Sequence, residues 1–296
     1  MIKWIVMDMD GTLLNDENRI DEQTRQILIK QEEKGVRLLL ASGRNYRKLM
    51  DYAIQLKMDV YHGMLIEANG LAVYDCMTHA RQKKAELNKQ DIERVFKLAQ
   101  TYDLELIASL DDGLYDYFSE NIRQSKIAYR IENNFPEDFP LTGGHRDWIS
   151  DNRGGYPNQF FAERLEAFPD ACNKLCLTHF PTRISEVFEA LKKALNDEYE
   201  IVRTSPRWVE ISPKGISKGN ALTALMSANQ IKKDEVLVFG DGENDCSMFA
   251  SAGIAIAMGN AMDIVKQAAN GVTLDNNHNG IAYAIENLEQ ITSKHE

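Results

Sequence analysis

Ile5-Val6-Met7-Asp8-Met9-Asp10-Gly11-Thr12 ends an apolar, partly β-branched run on two carboxylates and a glycine. An open α/β sheet builds its site at such a place, at the carboxyl end of a buried strand. If residues 2–7 form that strand, period-2 alternation sends Asp8 and Asp10 to one side of its exit, close enough to share a divalent cation. Two carboxylates so placed can divide labour, one attacking while the other moves a proton. This points to phosphate chemistry.

The remaining composition bounds the partners. A chain of 296 residues is long for one core and comfortable for two domains. A hydrophobic share of 44% beside 27% charged residues is that of a globular protein. No window approaches the ~18 uninterrupted apolar residues of a membrane helix, so no membrane partner is expected. The net charge of −11 argues against a nucleic-acid partner, because phosphate-backbone binding needs clustered Lys and Arg. The amino terminus enters the first strand at once, with no room for a signal peptide, which gives a cytoplasmic expectation. Cys76, Cys172, Cys176 and Cys246 are scattered without metal-site spacing and are read as free thiols.

Strand and helix alternate through the first eighty residues: a strand over 2–7, a helix over 21–34 closed by Gly35, a strand over 36–41, a helix over 47–57 and a strand over 64–68. The carboxyl-terminal part repeats the pattern. It offers a strand at 209–212, a helix over 217–230, strands at 235–240 and 254–258 with a short helix after Glu243 between them, a helix over 262–269 and a last helix after Asn279. Repeated βαβ units of this kind make a parallel sheet covered by helices. The expected fold is therefore an α/β core, doubly wound (Rossmann-like) around a mostly parallel sheet, built from residues 1–82 and 208–296. Residues 83–207 break the pattern with exposed-looking strands at 104–110 and 113–118, an irregular Pro- and Gly-rich stretch over 135–157 and a helix over 183–195. They are read as an inserted α+β cap domain.

Four short segments, far apart in sequence, each adjoin an apolar strand or open a helix, and each offers one part of a phosphoryl-transfer site. Asp8 and Asp10 come first. Ser42 and Gly43 follow the strand at 36–41 and offer a hydroxyl and main-chain amides to phosphate oxygens. Lys218 opens a helix, where a cation and the helix amino end both favour an anion. Asp241, in Gly240-Asp241-Gly242-Glu243-Asn244-Asp245, adds a hard oxygen ligand, with Asp245 behind it.

These residues, in this order, resemble the four motifs of the haloacid dehalogenase (HAD) superfamily. With the insert between the second and third motifs, and with the phrases DGTLLN, ASGR, EANG, PKGISKGNAL and GDGENDCSMF, the chain looks like the Cof-type sugar-phosphatase subfamily, whose caps are α+β. The resemblance implies that Asp8 is the nucleophile that becomes an aspartyl phosphate. It makes Asp10 the acid/base that protonates the leaving oxygen and then activates water, a role for which it must hold a proton. Mg2+ would be held by Asp8, the Asp10 carbonyl and Asp241, while Ser42, Gly43, the Met9 amide, Lys218 and Asn244 surround the phosphoryl oxygens. Asp245 would orient Lys218 or the metal shell. The implied reaction is magnesium-dependent hydrolysis of small phosphorylated metabolites, sugar phosphates first, with flavin mononucleotide or pyridoxal phosphate next. The cap would open and close over the site and select the substrate.

Other readings compete. Taken singly, two aspartates after a strand make a turn or helix cap, Ser-Gly caps, and a lysine at a helix start is solvated. Arg44, near the start of a helix, could contact substrate but is read as pairing with a surface carboxylate, and Asn69 is read as a turn residue, a cap-side site residue only by the resemblance. Tyr115, Tyr117, Phe118, Trp148, Tyr156 and Trp208 are read mostly as core. His62, His79, His145, His179, His278 and His295 lack metal-pair spacing. A phosphosugar mutase shares the aspartyl-phosphate step, and a phosphate-responsive switch shares the acceptor aspartate. Asp10 and the cap favour turnover over the switch.

Overall fold

The computed structural model describes residues 1–195 and 198–293, and the chain divides into two compact units, residues 1–84 with the described residues from 216 onward, and Ala85–Gly215. The first unit carries an eight-stranded sheet in the order β16-β15-β14-β1-β2-β3-β4-β5. Its strands are β1 (Trp4–Met7), β2 (Arg37–Ala41), β3 (Met64–Glu67), β4 (Ala72–Asp75), β5 (Arg81–Lys83), β14 (Val236–Gly240), β15 (Ile254–Ala257) and β16 (Gly271–Val272). Strands β16 to β3 run parallel, and β4 and β5 turn back antiparallel at one edge.

The central strands are apolar on both faces because helices cover both. All residues of β1, β3 and β14 are buried, as a helix-covered parallel sheet requires. The covering helices are α1 (Glu22–Glu33), α2 (Tyr46–Gln55), α6 (Lys218–Ala228), α7 (Cys246–Ser251), α8 (Asp263–Ala268), α9 (Gly280–Glu286) and α10 (Leu288–Thr292). One hydrophobic cluster runs from Trp4 to Ile291 through this unit, each large side chain in it contributing roughly 1.5–3 kcal/mol. Asn45 starts α2 by accepting a hydrogen bond from the Lys48 amide at 3.1 Å, and Ser217 starts α6 by accepting one from the Asn220 amide at 3.1 Å, each satisfying a donor that the first turn leaves unpaired.

The second unit has a six-stranded sheet in the order β12-β13-β11-β7-β8-β9 and a two-stranded one, β10-β6. Its strands are β6 (Leu87–Asn88), β7 (Glu105–Ser109), β8 (Gly113–Tyr117), β9 (Asn158–Phe161), β10 (Ala171–Cys172), β11 (Lys174–Thr178), β12 (Tyr199–Ser205) and β13 (Trp208–Pro213). Its helices are α3 (Lys89–Tyr102), α4 (Glu120–Glu132) and α5 (Pro181–Leu195). Leu106, Ala108, Leu175, Leu177, Val209 and Ile211 pack with Ile92, Val95, Ile184 and Leu191 of α3 and α5.

Three expectations change here. The strand at 209–212 belongs to the second unit, where β13 pairs antiparallel with both β11 and β12, so the division falls near residue 215 rather than 207. Strand β7 is buried along its whole length rather than exposed. The insert holds α3 and α4 besides the expected helix. The stretch between α4 and β9 contains no helix or strand, and within it Thr142, Trp148, Ile149 and Tyr156 are buried.

Candidate active site

Parallel pairing decides where the site forms. Met7 lies opposite Phe239 of β14 and Leu40 of β2, so Asp8, Asp241 and Ser42 leave neighbouring strands at one edge of the sheet. Connections depart in opposite directions on the two sides of β1, which makes this edge the topological switch point of the sheet. After β1 the chain winds back on itself, the Leu13 amide donating to the Asp8 carbonyl at 3.2 Å and the Leu14 amide to the Met9 carbonyl at 2.9 Å. Gly11 makes the turn possible. Its φ is +83°, and a Cβ there would overlap the Asp241 carboxylate, so a side chain is excluded by both conformation and space.

Lys218, the first residue of α6, holds the centre. Its ammonium is fully buried and donates to Asp8 Oδ1 at 2.6 Å and to Asp245 Oδ1 at 2.7 Å. The other oxygen of Asp245 accepts from the amides of Asp241 and Gly242, both at 3.0 Å. Asp245 therefore fixes the lysine and the Gly240–Gly242 turn together. Thr12 donates its hydroxyl to Asp241 Oδ1 at 2.6 Å. One ligand oxygen from each of Asp8, Asp241 and Asp245 lies within 4.8 Å of the others, the group of possible metal ligands among the described residues.

These carboxylates crowd one another. Burial pushes Asp8 well above the usual carboxylate range, Asp245 and Asp241 add to the shift, and Lys218 opposes it. Asp241 is raised to about 6 by burial and then by Asp245. Burial works against the charged form of Lys218, yet Asp245 and Asp8 carry it above its ordinary value. Burial among these carboxyl groups thus disfavours the charged form of Asp8 in the protein alone, with Lys218 opposing. Three carboxylates against one ammonium leave two formal negative charges, in a set of hard oxygen donors. That deficit and that donor chemistry fit one divalent cation.

Asp10 takes a different environment. Both of its oxygens accept from Arg44, Oδ2 from Nε at 2.9 Å and Oδ1 from Nη2, with the Arg44 guanidinium carbon 6.0 Å from the centre of the Tyr52 ring. The expectation of a surface pairing for Arg44 is overturned, because the chain turns inward after Ser42. The Arg44 amide donates to Ser42 Oγ at 3.1 Å, and Ala68 and Asn69 donate their amides to the carbonyls of Arg44 and Ser42 at 3.0 and 2.9 Å. Two loops are thereby joined, with Ser42 buried and Gly43 between its two anchored neighbours. Asn69, at φ +57°, accepts at Oδ1 from Asn244 Nδ2 at 3.1 Å, so it serves the site rather than only a turn. Met9 contributes its carbonyl to the turn after β1, accepting from the Thr12 and Leu14 amides, while its side chain fills the core.

Several contributors escaped the sequence reading. Asn260 donates to the Gly11 carbonyl at 2.8 Å and Asn276 to the Leu14 carbonyl at 3.0 Å, while the Asn276 amide donates to Asn260 Oδ1 at 3.1 Å. They brace the Asp8–Asp10 turn from elements more than 240 residues away, and no local signal marks them. Thr12 could have been found, since a hydroxyl so soon after Asp8 sits within the same turn. His179, half-buried, packs against Trp148 and Phe180 of the second unit; His295 lies outside the described residues. Phe118, Trp148, Tyr156 and Trp208 are core residues and Tyr115 and Tyr117 partly so. The four cysteines are free thiols.

A buried lysine joining two aspartates at the switch point of a helix-covered parallel sheet, interrupted by an α+β insert, defines a class, and the sequence agrees. The profile of the haloacid dehalogenase-like hydrolases matches residues 5–285, and the chain belongs to that family, within its Cof-type branch. It is an enzyme of the phosphatase class. Among its relatives, the 5-amino-6-(5-phospho-D-ribitylamino)uracil phosphatase YcsE of Bacillus subtilis (strain 168) is 30% identical over 284 residues, covering 96% of this chain and 94% of its own. The phosphatase YwpJ of the same organism is 26% identical, covering 97% of this chain and all of its own. A crystal structure of a haloacid dehalogenase-like hydrolase from Bacteroides thetaiotaomicron superposes with a TM-score of 0.74 at 27% identity, covering 97% of this chain and all of that one. Among the described residues, no helix is long and apolar enough to cross a membrane.

Proposed function

We propose that this enzyme hydrolyses phosphomonoesters of small metabolites, sugar and polyol phosphates first, with Mg2+ and through an aspartyl phosphate on Asp8. The observation that carries the reading is the Asp8–Lys218–Asp245 chain beside Asp241, three carboxyl groups gathered around one ammonium. The Asp8 carboxylate attacks phosphorus in line with the ester oxygen. Asp10 gives a proton to the departing oxygen and then takes one from the water that releases phosphate from Asp8. Lys218, the Ser42 hydroxyl, the amides of Met9 and Gly43 and the Asn244 side chain hold the phosphoryl oxygens. Asp8, Asp241 and the Asp10 carbonyl would hold the metal, and Asp245 fixes Lys218 behind them. When bound, the ion supplies the positive charge that lets one anion approach another.

The choice of substrate class rests on the Cof-type resemblance and on YcsE, whose name describes a phosphate ester on a ribityl chain. Residues 85–215 supply the selectivity in this reading. Phosphate release from p-nitrophenyl phosphate by wild type and Asp8→Asn, with magnesium and with excess chelator, tests the chemistry. Turnover that requires magnesium and disappears in the variant is expected. An inactive wild type, or turnover that survives Asp8→Asn, overturns the reading. With a sugar phosphate as substrate, inorganic phosphate accumulates; an isomeric sugar phosphate instead identifies a mutase.

A further inference from the structure

Arg44 lies outside the set of groups assigned above to phosphate or metal, yet its guanidinium is bonded to both oxygens of Asp10. Planar fork-to-carboxylate pairing fixes orientation as well as position, which a single hydrogen bond does not. Arg44 is itself held. Its main-chain amide is bonded to Ser42 Oγ, its carbonyl accepts from the Ala68 amide, and the neighbouring Tyr52 donates its hydroxyl to the Asn18 carbonyl at 3.1 Å. Asn18 lies in the same loop that carries Asp10. The arginine thus joins the β2–α2 turn to the turn after β3 through its main chain and to the β1–α1 loop through Asp10, with Tyr52 of α2 alongside.

Asp10 needs such a tie. Its side chain is 35% exposed, against 11% for Asp8, and the contacts around the buried lysine do not include it. A carboxylate at a partly open edge samples several rotamers unless a partner selects one. We propose that Arg44 is the positioning residue for Asp10, holding its carboxyl group where the leaving oxygen departs. This inference rests on the phosphatase reading and on Asp10 as its acid. In the step concerned, the Asp8 oxygen–phosphorus bond forms, the phosphorus–ester oxygen bond breaks, and Asp10, one oxygen still held by Arg44 and the other freed from it to carry the proton, passes that proton to the departing oxygen.

The test exploits a difference between esters. p-Nitrophenolate leaves as a stabilised anion and draws little help from an acid, whereas phenolate, with a conjugate acid near pKa ~10, needs a proton. kcat/KM ends at leaving-group departure and is the quantity to compare. For Arg44→Ala, kcat/KM on phenyl phosphate should fall about tenfold or more, and on p-nitrophenyl phosphate by less than about threefold. The retained p-nitrophenyl phosphate activity shows that the variant is folded. Arg44→Lys should recover part of the loss. Adding Arg44→Ala to Asp10→Asn should cost little further on phenyl phosphate, because the two act as a unit. Equal losses on both esters, or full additivity with Asp10→Asn, would overturn the role and leave Arg44 as a phosphate contact or a structural brace. Failure of the phosphatase reading shows up separately, as an inactive wild type or an active Asp8→Asn.

Discussion

Glu32, on the inner face of α1, is 2% exposed, and neither carboxylate oxygen has a hydrogen-bond partner. Burial, then Asp59, raises it from 4.5 to about 8, with Lys57 opposing. The sign follows from proton counting. Between those values the folded protein keeps a proton that the unfolded chain gives up, so stability falls as pH rises through the window and is lowest above it. Over pH 5 to 8 the cost is on the order of 2–4 kcal/mol. Glu32→Gln removes the titration while keeping the shape. Urea unfolding at several pH values should show a slope in wild type over this range and a shallower one in the variant; parallel slopes would exclude Glu32 as the source. Lys218 shows the opposite use of a buried charge, each of its two carboxylate partners being supplied by a different segment. Its sequence neighbourhood marks a helix start and an anion site, the family resemblance adds Asp245 as a partner, and only the fold shows the bond to Asp8.

At the level of elements, loops set the positions of helices. Gly70 has φ +98°, and a Cβ on it would lie 2.8 Å from the Ser217 carbonyl carbon and closer still to its oxygen. Ser217 is the residue that caps α6, directly before Lys218. Gly70→Ala should therefore cost roughly 1–3 kcal/mol and lower phosphatase turnover together with the urea midpoint, as the α6 start is pushed away from Asp8. Unchanged turnover with a lowered midpoint would show that Lys218 tolerates the shift. The same level explains what the sequence could and could not show. Strands β1, β2 and β14 announce themselves because both faces are apolar, and the turns after β1 and β14 carry the aspartates while that after β2 carries Ser42. Strand β13 reads just as well as a strand, but pairing is non-local, and nothing within Val209-Glu210-Ile211-Ser212 says that its neighbours are β11 and β12 rather than β1. Glu210 offers a hint in hindsight, since its buried carboxylate accepts from Lys174 at 2.5 Å across the second unit's sheet. Helices α3 and α4 are amphipathic and well capped, by the Asn88–Asp91 box and by Ser119; attention to caps would have found them. Arg44 was legible as part of a motif but not as a partner of Asp10, a contact between residues 34 apart.

For the whole molecule, each unit owns a core. The cluster from Trp4 to Ile291 draws on residues before 84 and after 216, and that from Leu87 to Ile211 lies within Ala85–Gly215. Two buried lysines of the second unit are also paired inside it, Lys126 with Glu105 at 2.6 Å and Lys174 with Glu210. Residues 85–215 expressed alone should unfold cooperatively in urea, with a stability of several kcal/mol as for other domains of this size. A broad, non-cooperative transition would show that this core depends on the rest of the chain. The division also separates two kinds of constraint on the gene. Every residue assigned here to chemistry, and each brace behind it, is encoded in the two outer segments, while the chain departs after Lys84 and returns at Ile216. Substitutions in the middle segment replace none of the residues bonded to Lys218. If residues 85–215 select the substrate, as proposed, a lineage can inherit its reaction intact while it changes what it feeds on.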